Sequence, residues 1–170
     1  MQRIMIIGGP GSGKSTLARD LGARLGLPVV HFDPMFWAPG WVQRDRAETA
    51  ALLLAAVGQD SWVMDGNHSE SYETRAARAD MIVYLDLPRQ LRVWRILKRR
   101  ARYHRQTRPD MAANCPERLD WEFLLFVGRW HQTSRPKALA LLDRMRGRTL
   151  TVHLTSPAQV RRFLAEPVLT

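Results

Sequence analysis

A single glycine-rich stretch constrains most strongly what this chain can fold into. Residues 8–15 read Gly-Gly-Pro-Gly-Ser-Gly-Lys-Ser and fit the phosphate-binding pattern G-x-x-x-x-G-K-[ST]. The apolar residues 4–7 come directly before it and predict a buried strand, because β-branched residues favour a sheet. Leucines recur at every fourth position from 17 to 25. This spacing predicts a helix that begins near Lys14.

The glycines and the first residues of that helix favour binding of a nucleoside triphosphate. A glycine-rich turn points successive backbone N–H groups inward and forms a nest for phosphate oxygens at a helix N-terminus. Lys14 would reach the β- and γ-phosphates, and the Ser15 hydroxyl would bind Mg²⁺. A glycine-rich turn without a ligand is the alternative, and the register of the Lys-Ser pair argues against it. The residues predicted to bind the nucleotide are Gly9, Gly11, Ser12, Gly13, Lys14, Ser15 and Thr16.

Length and cysteine content bound the type of protein. A chain of 170 residues suits one domain, which we expect to span residues 1–170. No apolar run reaches the roughly 18 residues that a membrane span needs, and we expect no secretory or transit peptide. Cys115 is the only cysteine, which excludes an intrachain disulfide and a cysteine-rich zinc site. We therefore expect a cytoplasmic protein without a membrane partner.

The formal net charge of +10 is concentrated in one segment. Residues 89–108 contain nine Lys or Arg and no Asp or Glu. Such a segment attracts polyanions, which are either the phosphates of a nucleotide or a nucleic-acid backbone. A basic lid over a triphosphate and a nucleic-acid surface have the same signature in a sequence, and a solvated helix face is the third possibility.

Strand and helix patterns alternate along the chain, which predicts an α/β fold with a mostly parallel sheet. The predicted strands are residues 3–7, 29–32, 62–64, 81–85 and 150–154. The predicted helices are residues 14–26, 44–57 and 89–103, one or two helices within 117–145, and a last helix that starts at Pro157. Residues 34–41 are predicted to form a loop.

Two carboxylates follow predicted strands. Because ligand crevices of parallel α/β sheets lie outside the carboxyl ends of the strands, we expect Asp33 and Asp65 to converge with the glycine-rich loop on one cleft. Asp65 is the candidate for holding Mg²⁺ opposite Ser15, with a turn-forming Asp-Gly as the alternative. Asp33 is the candidate for orienting or deprotonating an attacking hydroxyl, with a turn before Pro34 as the alternative. His31 is interpreted as a packed core histidine.

Aromatic residues crowd the segment after Asp33. Phe36, Trp37 and Trp41 are expected either to form a wall for a planar or apolar substrate or to fold the loop onto the core. Four arginines are candidates for contacts with a phosphate group of an acceptor molecule: Arg44, Arg46, Arg75 and Arg78.

The basic helix supplies candidates for charge neutralisation during phosphoryl transfer. Arginine binds phosphate oxygens through two donors and can stabilise a γ-phosphoryl group as it leaves. Helical spacing can place four arginines on one face: Arg89, Arg92, Arg95 and Arg99. The predicted catalytic residues are Lys14, Asp33, Arg95 and Arg99, with Arg102, Arg105 and Arg108 as further candidates.

Two absent motifs narrow the function. The chain has no Asn-Lys-x-Asp guanine-reading motif, which argues against a Ras-like GTPase. It has no Leu-Ser-Gly-Gly-Gln signature, which argues against a transporter ATPase, and it is short for a motor or a helicase. A small kinase remains as the leading hypothesis, and a nucleic-acid-binding ATPase is the second.

Several segments resemble known families. Residues 8–16 and Met64-Asp65-Gly66 resemble adenylate-kinase-type enzymes, and the basic helix is similar to their lid region. A longer resemblance, to the bacterial DNA topology modulation protein family of adenylate-kinase-like P-loop kinases, runs through much of the chain. It is carried by residues 31–33, 37–41, 65–69, 97–100, 108–111 and 115–118.

This resemblance implies a three-layer α/β/α P-loop NTPase fold with five parallel strands in the order 2-3-1-4-5 and a helical basic lid at about residues 89–134. It implies ATP and Mg²⁺ as cofactors, and residues 156–160 are expected to face the base. The implied reaction transfers the γ-phosphoryl group to a small hydroxyl or phosphate acceptor, such as a nucleoside or a nucleotide. The chain has Asn67-His68 where adenylate kinases have Phe-Pro-Arg, so AMP is no better supported than a nucleoside or another small hydroxyl compound. The alternative is an ATPase that affects DNA topology and binds nucleic acid through residues 89–108.

Overall fold

Seven strands occur in the computed structural model, which describes residues 1–104, 106–117 and 121–165 except for the side chain of residue 122. They are β1 (Arg3–Gly8), β2 (Val29–His31), β3 (Trp37–Ala38), β4 (Val42–Gln43), β5 (Trp62–Asp65), β6 (Met81–Leu85) and β7 (Leu150–Leu154). Five of them form one sheet, whereas β3 and β4 pair with each other as a small antiparallel hairpin.

The sheet has the order β2-β5-β1-β6-β7, and every neighbouring pair is parallel. When only the sheet strands are counted along the chain, this order is 2-3-1-4-5, because the hairpin takes the third and fourth strand numbers. β1 lies in the middle, where Ile6 is in register with Asp65 on one side and with Val83 on the other. The predicted α/β fold with a five-stranded parallel sheet is confirmed.

Eight helices connect and flank these strands in the described part of the chain. They are α1 (Lys14–Leu25), α2 (Asp33–Phe36), α3 (Arg46–Val57), α4 (Tyr72–Ala76), α5 (Arg89–Arg102), α6 (Trp121–Thr133), α7 (Arg135–Met145) and α8 (Pro157–Ala165), with a 3₁₀ turn at Ser69–Ser71. The α3 helix begins after Asp45, whose carboxylate accepts a hydrogen bond from Glu48 N at 2.8 Å. None of the helices described here is both long and apolar enough to cross a membrane.

Alternate residues of the central strand pack into two separate cores. Ile4 and Ile6 pack with residues of α1 and α8 on one face of the sheet. Met5 and Ile7 pack with residues of α3, α4 and α7 on the other face. All four side chains are fully buried, which explains why the strand is a continuous apolar run and not an alternating one. This three-layer packing leaves the carboxyl edge of the sheet open for the functional residues.

Residues 34–41 are not the loop that the sequence predicted. They fold into most of α2, into β3 and into the turn of the hairpin. The hairpin is tied to a segment far along the chain, because Gly40 N donates to Ala113 O at 3.2 Å and Trp41 N donates to Cys115 Sγ at 3.3 Å. This link brings the part of the chain that follows α5 over the carboxyl edge of the sheet.

Candidate active site

Helix α5 packs directly against the glycine-rich loop between β1 and α1. Arg92 is 1% exposed, and its guanidinium donates to Pro10 O and to Leu87 O, both at 3.2 Å. A Cβ atom on Gly9 would lie 2.3 Å from Arg92 Nη1, and a Cβ atom on Gly11 would lie 2.4 Å from Arg92 O. The approach of the α5 backbone therefore requires glycine at position 11 independently of any phosphate, whereas at position 9 the neighbour is the Arg92 side chain.

The loop presents the start of α1 without a side-chain cap. Gly13 is the N-cap residue with φ of 95°, and within the described chain no side chain accepts a capping hydrogen bond there. Lys14 Nζ donates to Gly9 O at 3.4 Å, and Arg95 Nη1 donates to Ser12 O at 3.0 Å. An uncapped helix N-terminus next to a lysine attracts an anion.

Two cavities meet at this loop. One has a volume of about 410 Å³ and the other about 600 Å³. Six residues line both of them: Gly11, Lys14, Ser15, Arg99, Arg108 and Asp110. A group bound by the loop would therefore be accessible from both sides, as transfer between two bound molecules requires.

The larger cavity has the charge expected for a polyphosphate site. Its lining includes eight Lys or Arg and only two Asp. Apart from Gly9, every residue predicted to bind the nucleotide lines this cavity. Pro157 and Val160 of α8, from the segment expected to face the base, are in its wall.

The smaller cavity contains both predicted carboxylates. Asp33 and Asp65 line it together with Lys14 and Ser15, so the strand ends do converge on one cleft. The aromatic residues that follow Asp33 also line it, as the substrate-wall interpretation expects, and one of them, Phe36, packs against the core as well. They are Phe36, Trp37 and Trp41, joined by Phe123 and Phe126 of α6.

At this junction burial outweighs the mutual attraction of the opposite charges of Asp33 and Lys14 in setting their pKa values. The Asp33 side chain opens onto the solvent of the cleft, but the walls of the cleft surround its carboxyl. This burial raises the pKa of the carboxyl, although the positive charge of Lys14 acts to lower it. Burial lowers the pKa of the Lys14 ammonium, although the negative charges of Asp65 and Asp33 act to raise it. A carboxylate with a raised pKa is suited to accept a proton from a hydroxyl.

His31 is not the packed core histidine that the sequence suggested. Its ring lines the smaller cavity, and Nδ1 lies 2.5 Å from Asp65 Oδ1. Burial opposes protonation of the ring, but the hydrogen bond and the charge of Asp65 outweigh it and raise the pKa of His31. The pair fixes the orientation of a carboxylate that is itself only 3% exposed.

A network of ions that the sequence did not predict joins α5 to the segment after it. Glu117 is 5% exposed and binds two arginines: its Oε1 lies 2.8 Å from Arg99 Nε and its Oε2 lies 2.7 Å from Arg108 Nε. Arg108 Nη1 also lies 3.0 Å from Asp110 Oδ2. The charge of Arg108 and a hydrogen bond from the Ser15 hydroxyl outweigh the burial of Asp110 and lower its pKa. The segment therefore places a carboxylate beside the predicted Mg²⁺ ligand.

The remaining arginine candidates divide between the cleft and other roles. Arg102 lines the larger cavity, Arg89 lines neither cavity, and Arg105 lies outside the described residues. Arg75 is fully buried, where its guanidinium donates to Gly66 O at 3.2 Å. None of the four arginines expected to contact an acceptor phosphate lines either of these two cavities: Arg44, Arg46, Arg75 and Arg78.

The donor set fits a magnesium ion better than a zinc ion. Within the described residues there is no group of three or more His, Cys, Asp or Glu that could hold a metal. The Ser15 hydroxyl and the Asp65 carboxylate offer oxygen donors in the same cleft. Mg²⁺ in nucleotide sites takes one or two such ligands from the protein and the rest from phosphates and water.

Two solved structures similar to this chain are kinases. A shikimate kinase from Acinetobacter baumannii in complex with shikimate is 17% identical, with a TM-score of 0.57 over 97% of this chain and 89% of that one. A deoxyadenosine kinase from M. mycoides with bound dCTP is 14% identical, with a TM-score of 0.51 over 96% of both chains. At these identities the similarity shows the fold alone, which the chain shares with these two kinases.

Sequence comparison gives a broader family than the predicted one. No curated protein matches the chain. The narrower resemblance to the DNA topology modulation family is not identified by these comparisons and stays a prediction. A family model described as an AAA domain matches residues 4–115, which include the glycine-rich loop, both carboxylates and α5. The chain therefore belongs to this AAA domain family.

Proposed function

We propose that the protein is a kinase that transfers the γ-phosphoryl group of ATP to a small acceptor molecule. The observation that carries this proposal is the junction of two cavities at Lys14 and Ser15. The larger, basic cavity would hold ATP, and the smaller cavity would hold the acceptor. A nucleotide-hydrolysing site needs only the first of these two cavities.

Mg²⁺ would be held by the Ser15 hydroxyl and the Asp65 carboxylate, the latter directly or through water. When bound, the ion neutralises charge on the phosphate oxygens. The backbone N–H groups at the start of α1 and the Lys14 ammonium would bind the β- and γ-phosphates. His31 would keep Asp65 in one orientation through its hydrogen bond.

Asp33 would orient the acceptor. The acceptor's hydroxyl oxygen forms a bond to the γ-phosphorus, the bond from that phosphorus to the oxygen bridging to the β-phosphate breaks, and ADP leaves. The hydroxyl proton passes to the Asp33 carboxylate. Arg95 and Arg99 would stabilise the charge on the γ-phosphoryl group, with Arg102 and Arg108 as the described alternatives. We propose residues 89–134 as the lid that carries these arginines.

The test is ADP release with Mg²⁺ and a panel of nucleosides, nucleotides and small sugars. Lys14→Ala is expected to lower kcat by at least about 10²-fold, because it removes a cation that binds the transferred phosphate. Lys137→Ala is the matched control, since Lys137 is an exposed residue of α7 and lines neither cavity. Near-normal turnover by Lys14→Ala, or no binding of ATP to the wild-type protein in calorimetry, would refute the proposal.

A nucleic-acid-binding ATPase is the second candidate. It is favoured by two cations of α5 that remain exposed at the larger cavity, Lys98 and Arg102. Its signature would be binding that weakens steeply with salt and ATP hydrolysis that polynucleotides stimulate. Acceptor-dependent ADP release without stimulation by DNA or RNA would reject it.

A further inference from the structure

The positive charges around the smaller cavity face the site of the donor triphosphate, and the other charges there are negative, which disfavours a negatively charged acceptor. Of its described lining residues, three are Lys or Arg and four are Asp or Glu. The three cations also line the larger cavity, so they face the site of the triphosphate. They are Lys14, Arg99 and Arg108.

The two arginines among these three cations are already paired with carboxylates. Arg99 and Arg108 bind the two oxygens of Glu117 at 2.8 and 2.7 Å, and Arg108 also binds Asp110. An acceptor that carried a phosphate or a carboxylate would have to compete for these arginines both with the buried carboxylates and with the phosphates of the donor, which the same arginines face. It would also lie beside the γ-phosphate of the donor, and like charges this close repel each other.

Five of the twelve other described lining residues are Phe or Trp. Phe36 packs edge to face on Trp37 with ring centroids 5.1 Å apart, and Trp37 packs in the same way on Trp41 at 5.4 Å. Phe126 and Met111 add further apolar surface to the lining. Aromatic faces of this kind bind flat rings by stacking, at little cost in conformational entropy.

We infer that the acceptor is an uncharged hydroxyl compound with a flat ring, of the nucleoside class, and not a nucleotide or a hydroxy acid. This inference rests on the proposed kinase function and specifies its substrate. The ring lies among the aromatic residues, and the hydroxyl lies at Asp33. The cavity volume of about 410 Å³ falls within the range of small-molecule sites.

The first experiment compares matched acceptors. We would measure kcat/KM for ADP release with a panel of nucleosides and with their 5′-monophosphates, and identify the products by mass spectrometry. Shikimate serves as a hydroxy acid and choline as a cationic alcohol. The best nucleoside is expected to exceed its monophosphate, shikimate and choline by at least tenfold. A monophosphate, shikimate or choline that equals or exceeds the best nucleoside would overturn the inference and leave the kinase function intact.

The second experiment tests the aromatic residues. Trp37→Leu is expected to raise KM for the nucleoside about tenfold, with the Kd for ATP unchanged, because stacking on one aromatic ring is lost. Phe126→Leu, at a residue already 40% exposed, repeats the test where folding is less at risk. Trp121→Leu is the matched control, since Trp121 is 72% exposed on α6 and outside both cavities.

The two possible failures are distinguishable. If both aromatic variants fold and keep the wild-type KM for the nucleoside, the inferred ring site is wrong although the enzyme is a kinase. If no compound is phosphorylated while calorimetry shows that ATP binds, the kinase function itself is wrong. Urea denaturation of each variant separates both outcomes from a loss of folding.

Discussion

His31 Nδ1 lies 2.5 Å from Asp65 Oδ1, and the two residues are register partners at the ends of the neighbouring strands β2 and β5. The parallel pairing of these strands thus sets a buried carboxylate and its hydrogen-bond donor side by side. Asp65 is 3% exposed, so the hydrogen bond replaces most of the water that its carboxylate has in the unfolded chain. The contact joins the fold of the sheet edge to the geometry of the proposed Mg²⁺ ligand.

Replacing His31 is expected to cost both stability and turnover. His31→Phe keeps a ring of similar size but removes the donor, so the buried Asp65 carboxylate loses its partner. We expect the free energy of unfolding to fall by about 1–3 kcal/mol, measured by urea denaturation. We also expect kcat to fall, because Asp65 is no longer held in one orientation.

The control for this variant is a second His–Asp pair in the chain. His153 Nε2 lies 3.2 Å from Asp86 Oδ2, but Asp86 also has two hydrogen bonds from Arg135 Nε and one from its Nη2. His153→Phe therefore leaves the carboxylate paired and should cost less than about 0.5 kcal/mol, without any change in kcat. Equal losses of stability in the two variants would contradict this account of His31.

The pH dependence of the reaction should report the shifted carboxyl of Asp33. Burial in the cleft raises the pKa of Asp33 above its ordinary value of 3.8. The proposed base works only when it is deprotonated, so kcat/KM should fall as the pH is lowered through this raised pKa. The acidic limb should therefore lie above that of an ordinary aspartate.

Asp33→Asn provides the comparison for this pH profile. It is expected to lower kcat by about 10²–10⁴-fold, which is typical for loss of a general base, and to remove the acidic limb. A wild-type profile that stays flat down to the ordinary pKa of aspartate would contradict the role of Asp33. So would an acidic limb that persists unchanged in Asp33→Asn.

The sequence predicted the sheet more completely than the site. Residues 81–85 and 150–154 were predicted with the bounds that β6 and β7 have. The first is a continuous apolar run, the second alternates apolar and polar residues, and both have polar residues on either side. The position of β1 in the middle of the sheet follows from the fold family that the glycine-rich loop indicates. These features are local or come from the family, so a single sequence contains them.

The parts of the site that the sequence missed depend on contacts between distant residues. The side chain of His31 faces the cleft because of its register with Asp65, which the pattern of β2 alone does not set. Glu117 and Asp110 reach the cleft only because the chain after α5 folds back over it. A basic segment in the sequence showed which arginines are candidates, but not which carboxylates would pair with them. The one signal in the sequence that could have found them is the presence of carboxylates in the segment that follows the basic helix.

Two neighbouring arginines of α5 should separate the kinase from the nucleic-acid-binding alternative. Arg99 lines both cavities and pairs with Glu117, whereas Arg100 Nη1 donates to His104 Nδ1 at 3.0 Å on the exposed side. Arg99→Ala is expected to lower kcat by at least about 10²-fold, because a cation is lost near the transferred phosphate. Arg100→Ala should leave kcat unchanged. Acceptor-dependent ADP release is the measurement.

Measuring the DNA binding of the same two variants tests the nucleic-acid-binding alternative. If the basic helix binds nucleic acid, Arg100→Ala should weaken DNA binding and reduce its salt dependence, because each phosphate contact contributes to the slope. Weakened DNA binding by Arg100→Ala, together with full kcat in Arg99→Ala, would favour the ATPase and contradict the role of Arg99 in phosphoryl transfer.

The close approach of α5 to the glycine-rich loop predicts different costs for two glycine substitutions with the same backbone conformation. Gly11 has φ of +75°, and a Cβ atom there would lie 2.4 Å from Arg92 O and 2.9 Å from Ile96 Cγ1. Gly26 has φ of +65°, and a Cβ atom there would meet nothing within 4 Å. Gly26→Ala should therefore cost only the strain of a left-handed alanine, about 1 kcal/mol.

Gly11→Ala should cost more, about 2–4 kcal/mol in urea denaturation, because the backbone of α5 must move away from the loop. It should also weaken ATP binding in calorimetry, since that movement displaces the loop and the arginines of α5 together. Gly26→Ala should bind ATP as the wild-type protein does. If the two variants lose the same stability, the contact between the backbone of α5 and the loop is looser than 2.4 Å implies. If Gly11→Ala is destabilised but still binds ATP normally, the position of α5 does not control the nucleotide site.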